Sequence, residues 1–223
     1  MNRLTPLAAA AALAFLAGDV AGEGDAGAAK DEDPGRVWLT HMRACLAGVW
    51  SAEADFTQEI VHPLGPGQHP MEGLVRVRRG GLLRLDYRKP EKTTLVSDGT
   101  IIRSYNPATR TVFENPIGQS PLPAVFGMLA GDGPPVRLRW LGGAKRPGEG
   151  LAALELPGPA RDPLVARVVA TVDEPCPCLR RVLVVDRAGS AVRITLGAVR
   201  TNVGLGRGLF VLKAPPGAAV VKP

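Results

Sequence analysis

The chain has 223 residues, among them 27 glycines and 21 prolines, and its aromatic content is only 4%. This length allows one domain or at most two, and the composition excludes an aromatic-rich core while favouring a turn-rich, mainly β fold. The formal net charge of +6 permits attraction to an anionic membrane surface or to an acidic partner. The arginines alternate with apolar residues as on a solvated strand face, so a role in solubility alone is the favoured interpretation. We predict no nucleic-acid partner.

The N-terminus has the pattern of an export signal. A charged start at Arg3 is followed by an apolar run to Ala17 and then by small residues. We interpret residues 1–22 as a secretory signal peptide, because the run is too short for a membrane span. Residues 23–35 are rich in Gly, Ala, Asp and Glu without apolar periodicity, which indicates a flexible leader. The predicted folded domain is 36–223.

A helix and a strand are predicted next. The apolar positions after Asp33 or Pro34 approximate a helical stripe. Its members are Val37, Leu39, Met42, Cys45, Leu46, Val49 and Trp50. Residues 54–61 then alternate as a strand, with Ala54 and Phe56 on one side and Asp55 on the other. Residues 62–70 contain three prolines and two glycines and are predicted to form a loop.

The stretch 72–113 alternates apolar and polar residues, with turn signals every eight to twelve residues, as in an antiparallel meander. A three-residue loop at 80–82 keeps the apolar residues on one face, whereas a two-residue loop at 80–81 would mix core with solvent. The predicted apolar face comprises Val75, Val77, Leu83, Leu85 and Tyr87. Asp98-Gly99 predicts a type I′ hairpin turn, and Asn106-Pro107 the next turn.

After residue 113 the pattern changes. Residues 120–130 form an apolar segment too short for an independent helix, so it must pack on another element. Strands are predicted at 136–140, 151–156, 164–173, 180–186, 191–199 and 209–213, which brings the total to about eleven or twelve. So many short strands imply a sandwich, a barrel or a strongly curved sheet, and periodicity alone does not choose among them.

A catalytic site is not predicted. No histidine was found at zinc-ligand spacing with a cysteine or another histidine on a regular element, and a metal site from His62 and His69 is the minor alternative. Gly189-Ser190 falls in a hairpin turn, not in a nucleophile elbow. The glycines at 204–208 precede a predicted strand, so they indicate a turn. We therefore predict no enzyme, no metal and no cofactor.

The three cysteines are Cys45, Cys176 and Cys178. An odd number in an exported chain leaves one thiol free or bridged to another molecule. A structural disulfide is the favoured interpretation, either between Cys176 and Cys178 or between Cys45 and one of them. A redox-active site is the less favoured alternative, because no nearby histidine or helix start supports a reactive thiolate.

One sequence stretch resembles a known family. P-E-K-T-T-L-V-S-D-G-T-I-I-R-S-Y-N-P, from Pro90, is similar to the signature of the LolA family of periplasmic lipoprotein carriers. Asp55-Phe56-Thr57-Gln58, Arg78-Arg79 and the segment starting at Phe210 agree in order. The resemblance covers roughly residues 37 to 221. It implies a mainly β (α+β) fold, an unclosed antiparallel β-barrel of about eleven strands with short lid helices.

The resemblance also implies a function. A monomeric periplasmic chaperone would take acylated lipoproteins from an inner-membrane lipoprotein-releasing ABC transporter, shield their acyl chains and deliver them to an outer-membrane acceptor. Arg79 would latch the lid, the alternative being a solvated strand-end arginine. The implied acyl-chain cavity and lid comprise Leu46, Val75, Val77, Leu83, Leu85, Val125, Phe126, Met128 and Leu129. The alternative function is a periplasmic lipid- or lipoprotein-sensing regulatory module of the same fold.

Overall fold

The computed structural model describes residues 32–61, 69–117, 120, 126–132, 137–156, 165–176 and 179–222. One α-helix, α1 (Pro34–Leu46), precedes a large sheet. Its strands are β1 (Ser51–Val61), β2 (Met71–Arg78), β3 (Leu82–Lys89), β4 (Thr93–Asp98), β5 (Ile101–Asn106), β6 (Thr111–Pro116), β7 (Arg139–Gly143), β8 (Ala152–Leu156), β9 (Val165–Val172), β10 (Leu179–Asp186), β11 (Ala191–Leu196), β12 (Arg200–Thr201) and β13 (Ala219–Val221). Two short 3₁₀ helices, Met128–Ala130 and Arg207–Phe210, complete the described elements.

The helix α1 begins where the sequence predicts. The Asp33 side chain accepts a hydrogen bond from the Gly35 backbone N–H at 3.0 Å, and Pro34 occupies the first turn, where its missing N–H costs nothing. The predicted stripe was wrong at two positions. Trp38, which it omitted, is fully buried, whereas Trp50 lies beyond the helix and is 39% exposed.

The sheet is continuous but does not close. Its strand order is β13-β6-β5-β4-β3-β2-β1-β11-β10-β9-β8-β7, and β12 pairs with β1 outside that path. All neighbours are antiparallel except β13 and β6, which run parallel. The described strands β7 and β13 stand at opposite ends. The predicted fold class, a mainly β unclosed barrel with a helical cover, is confirmed.

The hairpin of β2 and β3 follows the predicted faces but not the predicted loop. Val75 pairs with Leu85 and Val77 with Leu83, so all four share one buried face. The loop consists of residues 79–81 instead of 80–82, which shifts the pairing by two residues. Since side chains in a strand alternate with a period of two, that shift leaves every side chain on its predicted face.

The next hairpin differs in its turn. β4 and β5 are joined through Gly99 and Thr100, since Ser97 pairs with Ile102. Gly99 has a φ of 93°, whereas neither Asp98 nor Thr100 has a positive φ. The predicted type I′ turn centred on Asp98-Gly99 is therefore wrong, because such a turn requires a positive φ at both central residues. Asp98 instead accepts hydrogen bonds from the Thr100 and Ile101 backbone N–H groups.

The predicted strand at 209–213 was wrong. Residues Arg207–Phe210 form a 3₁₀ helix, and Phe210 is buried with Val96 and Leu205 in a small second cluster. The glycine-rich stretch at 204–208 thus leads into this helix and not into a strand. The C-terminal strand is β13 (Ala219–Val221) instead, and β7 begins only at Arg139.

Candidate functional site

The predicted apolar lining residues lie together on one face of the sheet. Val75, Val77, Leu83 and Leu85 are at most 1% exposed and belong to the main core cluster. Trp38, Leu39 and Met42 of α1 belong to the same cluster, as do Phe126 and Met128. Leu46 is also buried. Val125 and the Leu129 side chain fall outside the described residues.

Residues 126–132 form a compact segment against this apolar face. Phe126 is fully buried, and the 3₁₀ helix Met128–Ala130 contacts α1, β1 and β2. The 3₁₀ helix is followed by Gly131 with a φ of 70°, where a Cβ atom would lie 2.7 Å from the Leu46 carbonyl oxygen. Both the conformation and the crowding therefore require glycine. The Asp132 carboxylate then accepts a hydrogen bond from the Gly81 backbone N–H at 2.9 Å.

Arg79 connects this segment to the end of α1. Its Nε donates to the Ala130 carbonyl oxygen at 3.0 Å, and its Nη2 donates to the carbonyl oxygens of Leu46 and Ala47, both at 3.1 Å. A helix leaves its last carbonyls without intrahelical partners, and a planar guanidinium can reach several acceptors at once. One side chain on the β2–β3 loop thus joins the two helical pieces that cover the apolar face.

A disulfide lies at the same end of α1. Cys45 is bonded to Cys176, in the connection between β9 and β10, and Cys178 lies outside the described residues. His41 is one helical turn before Cys45, and its Nε2 is 3.3 Å from the Cys45 Sγ. The same Nε2 is 3.5 Å from a Glu174 carboxylate oxygen. His41 and Cys45 are thus close together on one helix, so the prediction that no histidine lies at zinc-ligand spacing from a cysteine on a regular element was wrong.

One polar pair lies along the inner side of the sheet. The Tyr87 hydroxyl donates to the Gln58 side-chain oxygen at 2.9 Å, and the Tyr87 ring packs edge-on against Phe56. Burial raises the pKa of Tyr87 to about 12, because the phenolate would lose its hydration. Tyr87 is thus a neutral hydrogen-bond donor at neutral pH, which suits an apolar interior.

The opposite face of the sheet is a charged surface. Arg76 pairs with Glu53 at 2.6 Å and with Asp86 at 2.9 Å, and Arg84 pairs with the same Asp86 at 2.7 Å. Arg84 also donates to the Leu209 carbonyl oxygen, so the C-terminal segment is anchored there. Arg76 and Arg84, which alternate with the apolar residues of their strands, therefore form ion pairs on the face opposite the core.

A separate groove of about 600 Å³ runs between α1 and β7. Four arginines contribute to its walls, namely Arg36, Arg43, Arg137 and Arg139, together with Asp33 and Trp140. It contains none of the predicted acyl-chain residues. Such a polar groove is unsuited to an acyl chain, since transfer of a methylene out of water is favourable only when it is buried against an apolar surface.

Comparison with known proteins identifies the family. The model of the family described as outer membrane lipoprotein carrier protein LolA matches residues 47–213. The chain belongs to the LolA family. That family is named for a carrier and not for an enzyme. Among the described residues, no helix has the length and apolar character needed to cross a bilayer.

Relatives agree with this membership. An outer-membrane lipoprotein carrier protein of Bordetella avium is 28% identical over 185 residues, which cover 81% of this chain and 85% of the relative. A protein of the same name from Yersinia enterocolitica is 32% identical over 84 residues, covering 36% of this chain and 41% of the relative. An uncharacterized conserved protein of Thermus thermophilus superposes with a TM-score of 0.52 at 14% identity, covering 83% of this chain and 99% of that one. This last likeness concerns the fold alone.

Sequence reasoning missed three parts of this site. Asp132 lies just after the predicted apolar segment 120–130 and was assigned no role, yet its side chain accepts a hydrogen bond from the Gly81 N–H of the β2–β3 loop. Trp38 was missed because its neighbours Val37 and Leu39 already matched the helical spacing of the predicted apolar stripe. The spacing of His41 and Cys45, four residues apart on a helix, was the available signal for their proximity.

Proposed function

We propose that this LolA-family chain is a periplasmic carrier that binds the acyl chains of lipoproteins released from the inner membrane and delivers them to an outer-membrane acceptor. The Bordetella avium relative is named a lipoprotein carrier, and its alignment covers most of both chains. This relative therefore supports the proposed role. The observation that carries the proposal is the Arg79 bridge between α1 and the 126–132 segment over an apolar sheet face. In this role Arg79 is a latch on a removable cover.

The closed arrangement suggests where an acyl chain would go. Phe126 and Met128 occupy the apolar face beside Val75, Val77 and Leu85, with at most 5% exposure. Displacing the 126–132 segment would open that face, and acyl methylenes would replace the displaced side chains. Each buried methylene contributes about 0.8 kcal/mol, so a multi-acyl cargo has ample free energy to drive opening.

Release would rely on the same latch. If the closed, empty state is stable, part of the acyl-binding free energy is spent on breaking the Arg79 hydrogen bonds and moving Phe126. The apparent affinity is then reduced by the fraction of molecules that are open. A carrier of this kind binds strongly enough to shield acyl chains from water and weakly enough to release them. It requires no cofactor and no catalytic residue.

The proposed partners follow from this cycle. The donor is an inner-membrane lipoprotein-releasing ABC transporter, and the recipient is an outer-membrane acceptor that offers acyl chains a better apolar site. The carrier would act as a monomer, since the apolar face and its cover belong to one chain. A signal peptide at residues 1–22 would supply export to the periplasm.

The decisive experiment is recovery of bound cargo. The full chain is expressed with export in a bacterium with two membranes, purified from the periplasm without detergent, and its bound material identified by mass spectrometry. Acylated proteins are expected. Recovery of a signalling protein without acylated cargo would support the regulatory module and contradict the carrier role.

The latch is tested by Arg79→Leu. This variant is expected to accumulate acylated lipoprotein that it fails to pass to the outer membrane, because the closed state no longer opposes binding. Arg43→Leu, the same change at an exposed position of α1, is the matched control and should transfer cargo normally. Normal transfer by Arg79→Leu would refute the latch.

A further inference from the structure

The disulfide between Cys45 and Cys176 has two further potential metal ligands beside it, His41 and Glu174. His41 Nε2, Cys45 Sγ and Cys176 Sγ all lie within 4.8 Å of one another. A disulfide gains nothing from an imidazole nitrogen beside its sulfur, and Glu174 approaches the same nitrogen at 3.5 Å. Two sulfurs, one imidazole and one carboxylate are the ligand types that zinc prefers.

From this cluster we infer a redox-gated metal site: when the Cys45–Cys176 disulfide is reduced, His41, Cys45 and Cys176 bind one thiophilic divalent cation such as Zn²⁺. The inference does not depend on the carrier role. Reduction would transfer two electrons and two protons from a dithiol reductant, which itself becomes a disulfide. Binding of the cation then displaces one proton from each thiol into solvent, leaving two thiolate ligands.

The distances fit a tetrahedral ion. With zinc bonds of about 2.3 Å to sulfur and 2.0 Å to nitrogen, sulfur and nitrogen ligands lie about 3.5 Å apart. The His41 Nε2 to Cys45 Sγ distance is 3.3 Å. The two cysteine Cα atoms are 5.5 Å apart, so rotation of the side chains is sufficient to separate the sulfurs without moving the backbone.

The surroundings position and expose the ligands. The His41 ring packs edge-on against Trp38 at a centroid distance of 5.7 Å, and the Trp38 indole donates to the Ala144 carbonyl at 3.0 Å. A ring fixed in this way loses little freedom on metal binding. Cys176 is exposed and His41 is 21% exposed, which gives both reductant and cation access. Glu174, at 42% exposure, adds negative charge beside the cation.

The experiment compares reduced and oxidised protein. The full chain is reduced with a phosphine under nitrogen, desalted, and titrated with Zn²⁺ against a chromophoric chelator; an untreated sample keeps its disulfide. The reduced chain is expected to bind one Zn²⁺ at least about 100-fold more tightly than the oxidised chain, because cysteine sulfurs bind zinc as thiolates and not as a disulfide. Equal binding by the two forms would overturn the inference.

Variants and a second metal identify the ligands. His41→Ala keeps both cysteines, so formation of its disulfide verifies the fold, and it should weaken zinc binding by about tenfold or more. His69→Ala, an exposed histidine outside the cluster, should bind as the parent does. Co²⁺ should give a thiolate charge-transfer band that Cys176→Ser reduces. Wild-type affinity in His41→Ala, or an unchanged band in Cys176→Ser, contradicts the assignment.

Discussion

The two helical pieces over the apolar face differ in how they are attached. The helix α1 has thirteen residues, a capped start, a disulfide at its last turn and an indole hydrogen bond from Trp38 to Ala144. The 126–132 segment has one short 3₁₀ helix, and its described polar contacts to other elements are those from Arg79 to Ala130 and from Gly81 to Asp132. One piece is fixed covalently, whereas the other depends on hydrogen bonds and the burial of Phe126 and Met128.

This difference indicates which of the two helical pieces moves more readily. Opening the 126–132 segment breaks a few hydrogen bonds and exposes two large side chains, whereas moving the end of α1 must also break a covalent bond. Local opening takes place where buried contacts are few. We therefore expect the 126–132 segment to be the moving cover and α1 to be its fixed neighbour.

Removal of the disulfide should make α1 as easy to displace as the 126–132 segment. Among the changes considered, it should also cause the largest loss in free energy of unfolding. The paired change Cys45→Ser and Cys176→Ser releases a cross-link spanning 131 residues of sequence, for which the chain-entropy relation gives about 5 kcal/mol. Urea denaturation measures the loss in free energy of unfolding, and hydrogen exchange should show α1 opening as readily as the 126–132 segment. Cys178→Ser, which leaves that disulfide intact, is the control. A loss of less than about 1 kcal/mol in the paired variant would show that α1 is fixed by packing alone.

Truncation of Phe126 removes the main apolar anchor of the moving piece. Phe126 is fully buried in the main core cluster, and Phe→Ala changes at such sites cost about 4 kcal/mol. Thermal and urea denaturation measure the loss. Leu209→Ala, at a side chain 38% exposed, is the control and should cost less than about 1 kcal/mol. A comparably small loss at Phe126 would mean that the segment contributes little to the closed state.

Loss of Arg79 acts on the junction between the two pieces. Arg79→Leu deletes three hydrogen bonds to backbone carbonyls, but the residue is exposed and water can replace part of them, so about 1 to 2 kcal/mol is expected. If that cost falls on the closed state alone, a fluorescent fatty acid should bind about tenfold more tightly for each 1.4 kcal/mol. Arg79→Lys should be intermediate, because an ammonium cannot reach the same set of acceptors. Unchanged fatty-acid affinity in both variants would separate Arg79 from any gating role.

The sequence predicted the sheet faces better than the contacts between distant elements. Val75, Val77, Leu83 and Leu85 were assigned correctly because strand parity survives a two-residue error in loop position. The placement of Phe210 was not predictable in this way. Its apolar neighbours gave a strand pattern, but Val96 lies more than a hundred residues away and buries it within a 3₁₀ helix.

The other features that the sequence did not predict are contacts between residues far apart along the chain. Three cysteines allow three alternative pairings for a single disulfide, and only the fold places Cys45 beside Cys176. β13 pairs in parallel with β6 at the sheet edge, a contact with no local signal. The role of Arg79 was suggested by family resemblance, since its position at the end of a strand alone favours a solvated arginine. Its carbonyl partners became visible only in three dimensions.

The smallest expected effect concerns Asp132. Its carboxylate accepts a hydrogen bond from the Gly81 N–H at 2.9 Å and so ties the end of the 126–132 segment to the β2–β3 loop. Asp132→Ala should cost about 1 kcal/mol, a typical net value for one hydrogen bond at a partly exposed site. Asp132→Asn keeps an acceptor oxygen and should lose less. Hydrogen exchange at Gly81 is the sharper measurement, because its amide proton loses its acceptor in the alanine variant only. If the Gly81 amide exchanges equally fast in the parent and in Asp132→Ala, the segment is attached through Arg79 and Phe126 alone, and the contrast with α1 becomes greater still.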